Sequence, residues 1–127
     1  MTSPDRRHPQ TGGRLASAIS NAMVHLLHEY TGRGPTRART TIGDDLIVCV
    51  LADTLTNSER KLVDAGEERL VLDQRSAIQR LMSGEAITMI ETLMGRSVTA
   101  FMSNNHIDPD LAVETFVLAP AAKEETA

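Results

Sequence analysis

Aromatic residues and cysteine are scarce in this sequence. Its 127 residues include no Trp, one Tyr and two Phe, so it has few aromatic faces on which the bases of a single-stranded nucleic acid would stack. The single cysteine, Cys49, lies in an apolar run, where a thiol behaves as a small hydrophobic side chain. One cysteine forms no internal disulfide, and this predicts a protein of a reducing compartment.

Long apolar runs and an excess of basic charge are also missing. No stretch approaches the roughly 18 consecutive apolar residues that cross a bilayer, and the amino terminus has no basic segment followed by an apolar one. The formal net charge is -4, which gives no overall attraction for a polyanion. We therefore expect a cytoplasmic protein with no membrane insertion and no nucleic-acid partner.

The length fits one domain with a polar segment at each end. Residues 1–13 hold two prolines and a Gly-Gly pair, and residues 121–127 are short and rich in small and charged residues. Segments of this composition bury too little apolar surface to fold alone. The sequence predicts a disordered N-terminal tail at 1–13, a single α+β domain at 14–120 and a flexible C-terminal tail at 121–127.

Two parts of the chain share the order helix, strand, turn, strand. In the first, apolar residues recur at steps of three and four from Arg14 to Thr31, the spacing of an amphipathic helix, and Gly32 ends it. Residues 37–42 alternate as a strand with one polar face. Gly43–Asp45 then predicts a turn, and Leu46–Leu51 reads as a strand that is apolar on both faces.

The second copy starts after Gly95, which is expected to end another helix. Residues 98–102 alternate as a strand, Ser103–Asp110 is expected to form a polar loop, and Leu111–Leu118 forms the last strand. Two helix-strand-strand units of this kind predict an α+β fold, with a four-stranded, mainly antiparallel sheet and helices packed on one face. The second face of that sheet is then a candidate homodimer surface.

Two helices are expected between the copies. A Thr56–Glu59 capping box begins a short one, and Gly66 ends it. In the next helix, the apolar residues after Ser83–Gly84 lie about 120° round from those before it, at about 100° per residue. This predicts either a kink or break there, or two halves that pack against different neighbours. The residues interpreted as surface charges are Glu67, Glu68, Asp73 and Arg75.

Two polar segments are candidate contact sites. Residues 32–39 (GRGPTRAR) combine glycines, whose backbone amides can approach an anion, with arginines that pair with phosphate. Residues 104–110 (NNHIDPD) hold an imidazole and two carboxylates, which are ligand types of divalent ions, although Asn, Asp and Pro also build ordinary turns. The candidate ligand- or partner-contact residues are Arg33, Arg37, Arg39, Asn104, Asn105, His106, Asp108 and Asp110.

No nucleophile or cofactor motif stands in a convincing sequence context. The residues therefore favour a nonenzymatic protein, and we assign no catalytic residue, metal ligand or cofactor. Two alternatives stay open: a small metal-dependent enzyme that uses the 104–110 segment, and an anion- or nucleotide-sensing domain that uses the 32–39 segment together with it.

These features together resemble one bacterial family. A helix that ends in Gly32–Thr36, a hairpin with an Asp-Asp turn, the Leu55–Glu59 helix start and the Asn105–Asp110 segment are similar to the MpsC-type family, named for a sodium-translocating, membrane potential-generating system. The resemblance covers residues 14–120. It implies a noncatalytic, cytosolic accessory or interaction module of a bacterial membrane ion or bicarbonate translocation system, with a membrane transport protein as candidate partner. The homodimer is expected from the apolar second face of the sheet.

Overall fold

The computed structural model describes residues 4–121, with side chains from residue 12 onward. Within this range three helices and four strands follow one another in the order α1, β1, β2, α2, α3, β3, β4. This order confirms the two helix-strand-strand units. The helices are α1 (Pro4–Thr31), α2 (Asn57–Asp64) and α3 (Glu68–Met94), and the strands are β1 (Arg37–Ile42), β2 (Leu46–Ala52), β3 (Val98–His106) and β4 (Leu111–Leu118).

The four strands form one antiparallel sheet in the order β1-β2-β4-β3. The central pair joins the two units, because β2 of the first lies against β4 of the second from Leu46↔Val117 to Ala52↔Leu111. The architecture is the predicted α+β fold with a four-stranded sheet and helices packed on one face.

The core lies between one sheet face and the two long helices, which also contact each other. The ring of Phe116 on β4 stacks on Phe101 of β3, with ring centroids 4.7 Å apart. Cys49 is fully buried among these side chains, as its apolar setting predicted. The other buried members of this core are Ile19, Met23, Leu26, Leu27, Ile47, Leu51, Met82, Ala86, Ile90, Ala112 and Leu118.

The opposite sheet face, here called the open face, is covered by no element among the described residues. Successive side chains of a strand point to opposite faces, so half of the apolar residues of β2 and β4 lie on it. Its use as a homodimer surface stays a prediction. The open-face side chains are Arg37, Arg39 and Thr41 of β1, Leu46, Val48, Val50 and Ala52 of β2, Leu111, Val113, Thr115 and Val117 of β4, and Ala100, Met102, Asn104 and His106 of β3.

Three helix boundaries follow from the residues that the sequence singled out. Gly32 and Gly95 take the positive φ values of 79° and 68° that a glycine adopts without steric penalty. At the start of α2, the Glu59 amide donates to the Thr56 hydroxyl and the Thr56 amide donates to the Glu59 carboxylate. The predicted capping box is therefore present.

The prediction of a loop over Ser103–Asp110 was wrong for its first half. β3 continues to His106, and its pairing with β4 runs through Asn105↔Ala112 and His106↔Leu111. The turn itself is only Ile107–Asp110. The sequence did not indicate this part of β3, because its side chains carry hydroxyl and amide groups at both phases of the strand and show no alternation of apolar with polar residues.

α3 runs unbroken through Ser83–Gly84, so the predicted break is absent. One glycine costs a helix only about 1 kcal/mol relative to Ala, and the buried stripe continues past it at steps of three and four. Its members are Val71, Arg75, Gln79, Met82, Ala86 and Ile90. The interpretation of Arg75 as a surface charge was wrong, because this side chain is 3% exposed, whereas Leu70 and Leu81 are 50% and 73% exposed.

The division into tails and domain stays a prediction. α1 begins at Pro4, inside the 1–13 segment, while residues 1–3 and 122–127 lie outside the described part of the chain. No helix between residues 4 and 121 is both long enough and apolar enough to pass through a bilayer.

Neighbouring residues of α3 test the buried stripe. We expect Met82→Ala to lower the free energy of unfolding by about 2–5 kcal/mol, because it opens a cavity in the core. Leu81→Ala, one position along, should change it by no more than about 0.5 kcal/mol, because that side chain is exposed. Chemical denaturation measures both, and equal losses would contradict this placement of α3.

Candidate functional site

Both predicted contact segments come to the same end of the sheet. β1 begins and β2 ends there, and β3 ends and β4 begins there, as the register Arg37↔Ala52↔Leu111↔His106 requires. The connecting segments 32–36, 53–56 and 107–110 therefore lie side by side. We call these three segments together the loop end.

The middle segment, 53–56, joins the other two. The Asp53 amide donates to the Asp110 carbonyl at 3.1 Å, and the Arg33 Nε donates to the Asp53 carbonyl at 2.9 Å. The Thr36 hydroxyl donates to the Asp53 carboxylate. Asp53 takes a φ of 62°, in the left-handed region that Asp adopts more readily than most residues. The loop end is thus one hydrogen-bonded unit.

Asp110 anchors this unit to the start of α2. Its carboxylate accepts the Thr54 amide at 3.0 Å, the Thr54 hydroxyl at 2.9 Å and the Leu55 amide at 3.0 Å. Arg60 lies 3.8 Å from the same carboxylate. Because both oxygens are occupied by the chain itself, Asp110 holds the loop end in place and is not a free ligand group.

A buried polar layer lies beneath the loop end. Arg75 donates to the Glu59 carboxylate at 3.1 Å and to the Thr54 carbonyl at 3.2 Å, and its Nε lies 3.5 Å from the Asn105 side-chain oxygen. Arg75 and Glu59 are 3% and 1% exposed. An ion pair removed from water in this way depends on complete hydrogen bonding, and Gln74 supplies one more donor to Glu59, at 3.3 Å.

The layer continues across α3 to β4. Gln79 and Asn105 exchange two side-chain hydrogen bonds, of 3.1 and 2.9 Å, and Gln79 also donates to Glu114 at 3.4 Å. The Ser103 hydroxyl donates to the other oxygen of Glu114. Glu114 has no exposed surface, and burial raises the pKa of its carboxyl from 4.5 to about 7. The two hydrogen bonds and the charge of Arg75 act in the opposite direction on this pKa.

Sequence reasoning missed most of this layer. It placed Arg75 on the surface, it used Glu59 only as a helix cap, and it did not single out Gln79 or Glu114. A signal was present on α3, because Arg75 and Gln79 continue the spacing of the apolar stripe. On β4, Glu114 stands at the buried phase of the alternation.

The remaining predicted residues separate over the molecule. Arg37 and Arg39 lie on the open face at one edge strand, and Asn104 and His106 lie on it at the other, about 14 Å away at three strand spacings. Asp108 is exposed in the β3–β4 turn. Arg33 lies in the loop end, where its Nε donates to the Asp53 carbonyl, and Asn105 alone of the predicted set joins the buried layer beside α3.

Two clefts flank the loop end. One, of about 480 Å³, lies where residues 31–34 meet residues 56–58, beside His28. The other, of about 390 Å³, is mainly acidic, and Arg60 is its basic group. Its lining residues are Asp53, Leu55, Arg60, Val63, Asp64, Ile107, Asp108 and Asp110. We call this second one the acidic cleft.

The potentially reactive side chains lie in different surroundings. The His106 Nδ1 lies 2.8 Å from the Pro109 carbonyl, and Asp110 is occupied as described. Among the described residues, no group of three or more His, Cys, Asp and Glu side chains is placed to hold a metal ion. Burial raises the pKa of the Cys49 thiol, which disfavours the thiolate that a cysteine nucleophile requires.

Comparisons with known proteins agree with the sequence resemblance. A family model described as "Na+-translocating membrane potential-generating system (MpsC)" matches residues 11–120. Among curated proteins, the chain is 31% identical over 94 residues to "Uncharacterized protein YrhF" of Bacillus subtilis (strain 168), covering 72% of this chain and 77% of that protein. No solved structure matches the chain.

Asp110 and Asp108 test the anchoring of the loop end. We expect Asp110→Ala to lower the free energy of unfolding by about 2–3 kcal/mol, because it leaves the buried Thr54 groups without their acceptor. Asp108→Ala should stay within about 0.5 kcal/mol, because that side chain is exposed. Urea denaturation compares the two, and a stable Asp110 variant would show that the anchor is not needed.

Glu114 should make stability depend on pH. Because its pKa is raised in the folded state, the folded protein holds this proton between pH 4.5 and about 7, and stability falls as the pH rises through that range. We expect Glu114→Gln to remove this loss. The free energy of unfolding of the variant, measured relative to that of wild type, should then be higher at pH 8 than at pH 4 by on the order of 3 kcal/mol. Asp73→Asn, at an exposed acid, is the control. Parallel pH profiles of stability for wild type and Glu114→Gln would contradict the assignment.

Proposed function

The chain belongs to the MpsC family, and we propose that it serves a sodium-translocating, membrane potential-generating system as a noncatalytic accessory protein. In this proposal it works at the cytoplasmic side of the membrane. It binds an exposed segment of a membrane transport protein through its loop end, and its working unit is a homodimer.

The convergence of the two predicted contact segments supports this function most directly. Segments 32–36 and 107–110 are far apart in the sequence, yet both are hydrogen-bonded to segment 53–56 at one end of the sheet. Exposed side chains on a rigid base are the usual arrangement of a recognition surface. The loop end has this arrangement, because Asp110 fixes it from below.

Charge indicates what kind of segment the loop end would bind. The acidic cleft contains four aspartates and one arginine, and that arginine, Arg60, lies beside Asp110. Cytoplasmic loops of membrane proteins carry an excess of Lys and Arg. A short basic loop of a transport protein therefore complements the cleft in charge, and the complementarity would favour fast and specific association.

Binding to inside-out membrane vesicles tests the proposal. Purified protein should sediment with vesicles from the organism that encodes it, and the binding should weaken as salt is added, because exposed charges are screened. We expect Asp64→Lys combined with Asp108→Lys to reduce the bound fraction by about tenfold or more, since two attractive contacts become repulsive.

Controls separate a protein partner from lipid and from general charge. Protein-free liposomes of the extracted lipids and protease-treated vesicles should not bind the chain. Glu68→Lys with Asp73→Lys makes the same change in net charge at exposed positions of α3 that do not line the acidic cleft and should leave binding intact. Equal binding to liposomes would refute the proposed function, and so would a pull-down that captured soluble proteins alone.

A further inference from the structure

The open face has mostly apolar side chains of β2 and β4 at its centre, between the two edge strands β1 and β3. Its four strands measure about 19 Å across and its rows about 24 Å along, at about 4.8 Å per strand and 3.4 Å per residue. Leu46 and Met102 on it are 42% and 47% exposed. A specific interface buries about 800 Å² of accessible surface per partner, so a stable dimer has to use the whole face, which measures roughly 460 Å² in projection, together with the side chains at its ends.

A hollow interrupts the open face at one end of β2. It has a volume of about 490 Å³, and Ala52 lies in it between larger neighbours. At the other end of the same strand, Leu46 is exposed. The face therefore carries a protruding side chain and a cavity at opposite ends of one strand. The residues that line the hollow are Arg37, Ala38, Arg39, Val50, Ala52 and Leu111.

The charges of the β1–β2 hairpin follow the same division. Arg37 and Arg39 lie beside the hollow, while Asp44 and Asp45 form the turn beside Leu46. All four are exposed, and none of them forms an ion pair with another described residue. Each end of the hairpin thus offers charges that the other end would neutralise.

A twofold axis that lies between two open faces and runs perpendicular to the strands would bring the hollow of one copy over Leu46 of the other. Two identical surfaces in a twofold interface contact each other reciprocally. When two open faces meet about this axis, the row of Leu46 lies over the row of Ala52 in the second copy, and the Val48 row lies over the Val50 row. An axis parallel to the strands instead places Arg37 over His106, which has no negative charge to pair with the arginine.

We propose, building on the homodimer of the proposed function, that two copies pack their open faces about the axis perpendicular to the strands. Leu46 of each copy fills the hollow over Ala52 of the other. Around it, Arg37 and Arg39 pair with Asp44 and Asp45 of the second copy. The two sheets then form a sandwich, and the loop ends lie at its two opposite ends, free for partners.

Complementary charge reversals test this arrangement. The wild-type chain should be a dimer by sedimentation equilibrium, with a dissociation constant in the micromolar range or tighter. One variant combines Arg37→Asp with Arg39→Asp, and a second combines Asp44→Arg with Asp45→Arg. Each alone should dimerise at least about tenfold more weakly, because like charges then face each other across both ends of the interface.

Mixing the two variants gives the decisive measurement. Their introduced charges are opposite, so the mixture should form a heterodimer with close to the wild-type dissociation constant. Leu46→Glu should weaken dimerisation, whereas Leu81→Glu, at an exposed leucine on α3, should not. Circular dichroism melts confirm that each variant is folded.

Three results would overturn the inference: a monomeric wild type, a dimer that Leu46→Glu does not affect, or reversed variants that do not recover on mixing. The outcome is independent of the vesicle measurement, which uses Asp64 and Asp108 at the loop end. Failure of the dimer would leave membrane-protein binding standing, and failure of vesicle binding would leave the dimer standing.

Discussion

The antiparallel pairing of β2 with β4 is the contact on which the rest of the structure depends. It joins two helix-strand-strand units that are otherwise separate stretches of chain. Both units then share one sheet, their long helices cover the same face, and no element among the described residues covers the opposite face. The same pairing brings the end of β2 next to the start of β4, so that Asp53 meets Asp110 and the loop end forms.

The buried polar layer restricts how the elements around the apolar core can pack. Burying Arg75, Glu59 and Glu114 costs desolvation energy, which a hydrophobic core of the same volume would avoid. In return, each hydrogen bond is satisfied in one arrangement of α2, α3 and β3 only, and a shift of α3 by one turn would leave several charged groups without partners. We interpret the layer as the feature that fixes how α3 sits beneath the loop end.

The two proposed surfaces do not compete for space. The open face is a broad apolar surface with charges at its ends, which suits a second copy of a symmetric assembly. The loop end is a small, rigid, acidic surface at the edge of the sheet, which suits a short basic segment. In these proposals, one face of the sheet serves self-association and one end of the sheet serves recognition.

The sequence by itself determined the elements and their order. Apolar spacing marked α1, alternation marked β1, β4 and the first half of β3, and an apolar run marked β2. Gly32, Gly95 and the Thr56 capping box marked the helix ends. All of these signals depend on residues within a few positions of one another. The candidate segments at 32–39 and 104–110 were also visible, although the sequence placed Asn104–His106 in a loop and not in β3.

Only the tertiary structure decided which polar residues are buried and which segments meet. The spacing of α3 places Arg75 in line with the apolar stripe, but its burial depends on the hydrogen bonds that Glu59, Thr54 and Asn105 supply. Those partners lie 16 to 30 residues away in the chain. A periodic pattern reports which face of an element is apolar, whereas the burial of a charge depends on groups that only the folded chain brings within hydrogen-bonding distance.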